Sequence, residues 1–215
     1  MQEKNRAILF DLDGTLINSG VTFHRIVNEL KSACGEKEIS FEVVREFSSR
    51  GASLILKNSF PDRSEEEIYE LKEKFLNRYE SILTNEIVVY GGVEELLKHL
   101  DKHDIPWGII TNKSQNFTYP IVQKLGWDKK TDIILCPEDL EKTKPDPEGV
   151  NKAIKMAGVE KRDSMYVGDH ERDILTAKNA GVLSVACTYG YYESDPNKWS
   201  ADFIIDTPLG LKKIL

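Results

Sequence analysis

Cysteine is scarce and long apolar runs are missing. The three cysteines, Cys34, Cys136 and Cys187, are odd in number and scattered through 215 residues. This excludes the paired spacing of a zinc site and the density of a disulfide framework, and it predicts a reducing compartment. No stretch approaches a membrane span, and Met1-Gln2-Glu3-Lys4-Asn5-Arg6 offers too few apolar residues for a signal peptide. The expectation is a cytoplasmic protein without a membrane partner, so the glycosylation sequon Asn116-Phe117-Thr118 would never meet its machinery. Positive charge is also short, with a formal net charge of -7. A general nucleic-acid binder would need a basic patch to displace phosphate counterions, so that partner is excluded. A phosphorylated ligand is not, because a metal ion and a few local cations can reverse the field inside an acidic protein. Repeats and low-complexity tracts are absent as well.

What is present describes a globular chain, 40% hydrophobic and 30% charged. Its length suits one ordinary domain carrying an insertion. The apolar pattern has two styles. From Thr22 to about Thr84 it is helical: Phe23, Ile26, Val27, Leu30 and Ala33 recur at helical spacing. Ser64 and Glu67 then form a capping box ahead of Ile68, Leu71, Phe75, Tyr79 and Ile82. From Tyr90 onward strands alternate with helices. Strands are expected at Trp107–Ile110, Ile133–Leu135, Met165–Val167, Val182–Val185 and Phe203–Ile205, and helices near 93–103, 121–125, 148–157 and 172–180. This rhythm predicts an α/β fold, a doubly wound parallel sheet with an inserted helical domain. The expected division is 1–17 and 87–215 for the core and 18–86 for the insertion.

The chemistry gathers where strands end. Asp11-Leu12-Asp13-Gly14-Thr15 follows the apolar run Ala7–Phe10, placing two carboxylates at the carboxyl end of a buried strand, where open α/β sheets bind ligands. Thr111-Asn112-Lys113 follows Ile109-Ile110 and supplies a hydroxyl and backbone amides suited to phosphoryl oxygens. Lys144-Pro145-Asp146-Pro147 offers a cation from a stiff backbone. Gly168-Asp169-His170-Glu171-Arg172-Asp173 adds two acids four residues apart, a hard-oxygen set suited to a divalent cation. Each cluster alone also reads more plainly, as an acidic turn, a helix cap or a surface lysine. His24, His99 and His103 show no ligand spacing, and His170 is either a neighbour of the acids or a helix-start residue.

In order and content the four clusters resemble the haloacid dehalogenase superfamily of phosphatases, and within it the phosphoglycolate phosphatase group. Trp107–Lys113, Cys136-Pro137, Tyr189-Gly190-Tyr191 and Trp199–Asp202 are further similar to the N-acetylmuramic acid 6-phosphate phosphatases. The resemblance implies a Mg2+-dependent phosphomonoester hydrolase acting on a small phosphorylated organic acid or sugar. Asp11 would be the nucleophile that forms an aspartyl-phosphate, and Asp13 the general acid and base. Thr111 and Lys144 would complete the catalytic set, with Leu12, Asn112 and Lys113 around the phosphoryl group. The metal would be held by Asp11, the backbone carbonyl of Asp13 and Asp169, oriented by Asp173. A β-phosphoglucomutase-like phosphotransferase shares the same motifs. In the insertion, Arg50-Gly51 is the candidate for reading a substrate carboxylate, since arginine pairs bidentately and glycine allows close approach, although a helix boundary explains the pair equally well.

Overall fold

The computed structural model describes residues 6–215. The first five residues, part of the segment read above as too polar for a signal peptide, lie outside the described residues. Among those described, no helix is long and apolar enough to cross a membrane.

Short apolar runs bounded by turn residues become six strands: β1 (Ile8–Phe10), β2 (Trp107–Ile110), β3 (Ile134–Leu135), β4 (Met165–Gly168), β5 (Leu183–Cys187) and β6 (Phe203–Ile205). They form one parallel sheet in the order β3-β2-β1-β4-β5-β6. Alternation along β1 divides the interior. Ile8 and Phe10 join the larger apolar cluster with Leu96, Leu97, Ile121 and Val122, while Ala7 and Leu9 face Val150, Ala153 and Ala177. Helices α5 (Val93–Lys102) and α6 (Gln115–Leu125) thus cover one face, and α7 (Glu148–Ala157) and α8 (Glu171–Ala180) the other. That is the doubly wound arrangement expected of buried parallel strands.

Between β1 and β2 the chain forms α1 (Ser19–Ala33), α2 (Phe41–Phe47), a 3-10 turn at Ser48–Arg50, α3 (Ala52–Ser59) and α4 (Glu65–Ile82). The capping box opens α4: the Ser64 hydroxyl accepts from the Glu67 amide, and the Glu67 carboxylate accepts from the Ser64 amide. Where the chain leaves and re-enters the sheet layer, the two connections bond each other, Asn18 N–H to the Val88 carbonyl at 2.7 Å and Tyr90 N–H to the Leu16 carbonyl at 3.1 Å. One element is longer than its pattern suggested. Helix α6 starts at Gln115 rather than near Ile121 and carries Pro120 inside it. The Thr118 hydroxyl bonds the Lys113 carbonyl at its first turn, and the proline masked the helical periodicity N-terminal to it.

Candidate active site

The in-register sheet explains why sequence-distant residues meet. Phe10 pairs with Ile109 on one side and Val167 on the other. Continuing that register sets Asp11 level with Ile110 and Gly168, with Thr111 and Asp169 one residue further along. The carboxyl ends of the three central strands therefore deliver their polar residues to one place.

Asp11, Asp169 and Asp173 are buried, and one carboxylate oxygen of each lies within 4.8 Å of the others. Lys144 stands between two of them, its Nζ 2.8 Å from Asp11 Oδ1 and 2.8 Å from Asp173 Oδ1. Asp11 also accepts the Leu12 amide at 2.7 Å. The other oxygen of Asp173 takes the His170 amide at 3.1 Å, which caps α8. Asp169 has no cation partner among the described residues. It is held by the Thr15 hydroxyl at 3.0 Å and the Tyr191 amide at 2.7 Å. Burial pushes the Asp11 carboxyl up to about 6, with Asp173 adding to the rise and Lys144 opposing it. Burial, then Asp11 and Asp173, hold Asp169 well above the usual carboxylate range. Burial alone would lower Lys144, but Asp11 and Asp173 outweigh it and keep the ammonium charged.

Asp13 faces a different environment. Its carboxylate is outside the trio and receives the Lys113 ammonium on both oxygens at 3.1 Å. Lys113 in turn lies over the rings of Tyr79 and Phe23, 4.7 and 5.4 Å from their centroids. Burial opposes its charge, but Asp13 and Tyr79 win and hold its pKa above the usual lysine value. Thr111 accepts the Lys113 amide on Oγ1 at 3.1 Å. The Asn112 side chain ties the loop to the Lys144 backbone in both directions at 3.3 Å. That pair of bonds fixes the loop bearing the lysine to the one bearing the threonine.

All of this opens on a cavity of about 520 Å³ whose walls come from both layers. The sheet side contributes Asp11, Asp13, Thr111, Asn112, Lys113 and Lys144; the helical insertion contributes Ser48 to Ala52, Lys72, Phe75 and Tyr79. Arg50 and Gly51 do reach it. Gly51, at φ 87°, is the boundary between the 3-10 turn and α3, and the Arg50 Nε lies 2.9 Å from Glu193.

Sequence reasoning passed over four participants. Thr15 and Tyr191 bond Asp169; Arg172 lines the cavity and donates to the Ser49 carbonyl at 3.0 Å. Arg45 donates Nε and Nη2 to the Gly190 carbonyl at 3.0 and 2.9 Å. Thr15, Tyr191 and Arg172 sat inside segments already singled out, without a role assigned to them, whereas Arg45 carried no signal beyond an amphipathic helix.

The fold, the strand-end carboxylates and their lysine define a haloacid dehalogenase-like hydrolase, and that family matches residues 8–187. The chain belongs to it. Among its relatives, the N-acetylmuramic acid 6-phosphate phosphatase of Pseudomonas putida is 34% identical over 213 residues, 98% of this chain and 96% of that protein. A phosphoglycolate phosphatase of Xanthomonas campestris pv. campestris is 36% identical over 205 residues, 94% of this chain and 93% of that protein. The crystal structure of a predicted phosphoglycolate phosphatase from Haemophilus somnus superposes with a TM-score of 0.86 at 27% identity, covering 100% of this chain and 99% of that one. The chain is thus an enzyme whose relatives are named phosphatases.

Proposed function

We propose that the chain hydrolyses a small phosphorylated organic acid or sugar through an aspartyl-phosphate on Asp11, in a reducing, cytoplasmic setting that suits its three free cysteines. One observation carries this reading: two carboxylates two residues apart line one cavity, each with its own lysine. Asp11 lies at the anionic trio and Asp13 beside it on the cavity wall, so one can attack while the other handles protons.

In the first half-reaction an Asp11 oxygen bonds to phosphorus, the ester P–O bond breaks, and Asp13 gives its proton to the departing alkoxide. In the second, Asp13 takes a proton from the attacking water, the acyl phosphate bond breaks, and inorganic phosphate leaves with Asp11 restored. Thr111 and the amides of Leu12 and Asn112 hold the phosphoryl oxygens, and Lys113 orients Asp13. Lys144 offsets the repulsion between the phosphoryl dianion and Asp11.

The residues fit a divalent cation. Every donor is a hard oxygen, and among the described residues Lys144 pairs with Asp11 and Asp173 while Asp169 has no cation, so the cluster carries more negative charge than its own lysine offsets. Asp11, Asp169 and the Asp13 backbone carbonyl would hold Mg2+, with Asp173 positioning the set. When bound, the ion supplies positive charge that shields the phosphoryl group from the attacking carboxylate.

Residues 18–86 act as a cap over this chemistry, and the paired connections at Asn18–Val88 and Leu16–Tyr90 are its joint. Phosphoglycolate is the first substrate to test. A second reading, N-acetylmuramic acid 6-phosphate, is favoured by the cavity of about 520 Å³, which is more than a two-carbon ester fills. Phosphate release should be measured across phosphorylated acids, sugars and an aryl phosphate, with Mg2+ and with chelator. Equal rates with and without chelator sink the mechanism. Isomerisation of a sugar phosphate without phosphate release would instead mark a phosphotransferase.

A further inference from the structure

Not every cation that lines the cavity is paired with an acid. Five basic side chains line it: Arg50, Lys72, Lys113, Lys144 and Arg172. Three are bound by carboxylates, Lys113 by Asp13, Lys144 by Asp11 and Asp173, and Arg50 by Glu193. Arg172 and Lys72 have no carboxylate partner among the described residues. Arg172 enters from the first turn of α8, next to Asp173 in the chain. One guanidinium nitrogen, Nη2, donates to the Ser49 carbonyl, and its Nε is buried with no hydrogen-bond partner. Lys72 enters from α4, half-buried, with no hydrogen bond or ion pair among the described residues. A buried donor left unsatisfied on a charged group is costly. Two cations without a carboxylate partner, one from each layer, thus line one cavity that has room for negative charge beyond the phosphoryl group that Lys144 and Thr111 address.

We infer that Arg172, assisted by Lys72, binds a second anionic group of the substrate and so determines specificity. This rests on the phosphatase reading above and adds to it the residues that select the substrate. The guanidinium of Arg50 was the sequence's candidate for the task, but its Nε is engaged by Glu193 outside the reacting centre. Arg172 stands where α8, the Lys144 loop and the Ser48–Arg50 turn meet, so a substrate anion there would touch core and insertion together.

The test compares kcat/KM for three esters of one two-carbon skeleton: phosphoglycolate, with a carboxylate; ethylene glycol bisphosphate, with a second phosphate; and 2-hydroxyethyl phosphate, with a neutral end. The wild type should favour an anionic ester over the neutral one by about tenfold or more, and which anion it favours identifies the source of the charge. Arg172→Gln should cut that preference about 10- to 100-fold, chiefly through KM, and Arg172→Lys should restore part of it. Lys72→Gln, which touches no bond between the two layers, should cut it about 3- to 10-fold. An unaltered preference in both glutamine variants overturns the assignment and leaves Arg172 a contact to Ser49. Hydrolysis of all three esters by the wild type without regard to charge also overturns it, while the phosphatase reading stands. Release of phosphate from none of them, nor from an aryl phosphate, overturns both.

Discussion

The ammonium of Lys113 sits 3.1 Å from each carboxylate oxygen of Asp13. Two residues earlier on the same strand end, Asp11 is bound by Lys144 instead, at 2.8 Å. Side chains of the same type are thereby placed in separate electrostatic settings, which supports the separate roles proposed for them. Asp11→Asn should abolish turnover and prevent labelling by beryllium fluoride, a phosphoryl mimic. Asp13→Asn should abolish turnover yet still accept the label. Wild-type labelling of the Asp11 variant would reassign the nucleophile.

Among the described residues Lys144 is the one cation paired with the buried trio, and its removal should be felt in the fold as well as in the chemistry. Lys144→Met keeps the volume but strands Asp11 and Asp173 without a counter-charge. Breaking a buried pair in this way costs about 3–5 kcal/mol. Urea unfolding at neutral pH in chelator should show a loss of that order. A loss under about 1 kcal/mol would mean the acids relax by taking up protons or water.

The same cluster ties metal binding to pH. In the metal-free protein Asp11 titrates at about 6 against an ordinary value of 3.8. The folded state therefore holds a proton that the unfolded chain has released, and this group disfavours the fold increasingly as pH rises through that window. Mg2+ needs the deprotonated acids. The rise in Tm that Mg2+ produces should consequently grow from about pH 4 to about pH 7. Melting curves with Mg2+ and with chelator across that range check it, and a constant increment would count against the trio as the ligand set.

Arg45 reaches from α2 to the Gly190 carbonyl, and the next amide, that of Tyr191, fixes Asp169. Arg45→Ala removes a charge-assisted contact on the scale of ~1.5–3 kcal/mol. The Tyr191 amide should then exchange its hydrogen faster, and Mg2+ should bind more weakly by calorimetry. Unchanged exchange at Tyr191 would show that the loop holds Asp169 without help from the helices.

The strand-end acids were legible because each directly follows a short apolar run, so their address depends only on local pattern and parallel topology. Asp11, Thr111 and Asp169 were read in this way, whereas Lys144 was read from the prolines beside it and Asp173 from its four-residue spacing to Asp169. Pairing was not legible. Nothing in the spacing tells that Lys113 belongs to Asp13 or that Arg50 meets Glu193, because the first contact depends on how two strand ends of the sheet meet and the second on how the insertion docks on the core, each across 100 or more residues. Arg45 and Lys72 were invisible for a related reason: a basic residue on an amphipathic helix reads as solvated until the helix's neighbours are known. Pro120 misled in the opposite sense, shortening a helix that tertiary packing sustains.

The position of β1 in the sheet bears on how the protein is made. Its partners are β2, which begins at Trp107, and β4, which begins at Met165. A ribosome releases the strand that presents Asp11 first, yet that strand has no neighbour until about a hundred residues more have emerged, and its second edge stays open until β4 follows. The intervening helices bury apolar residues among themselves and can gather early, since their contacts are local. The expected order of assembly is therefore insertion before sheet: the nascent chain should carry an organised helical layer while the strand-end acids are still scattered along an unpaired strand and unfinished loops. Chains truncated before Met165 should accordingly retain helical signal, expose β1 to aggregation, and bind no Mg2+.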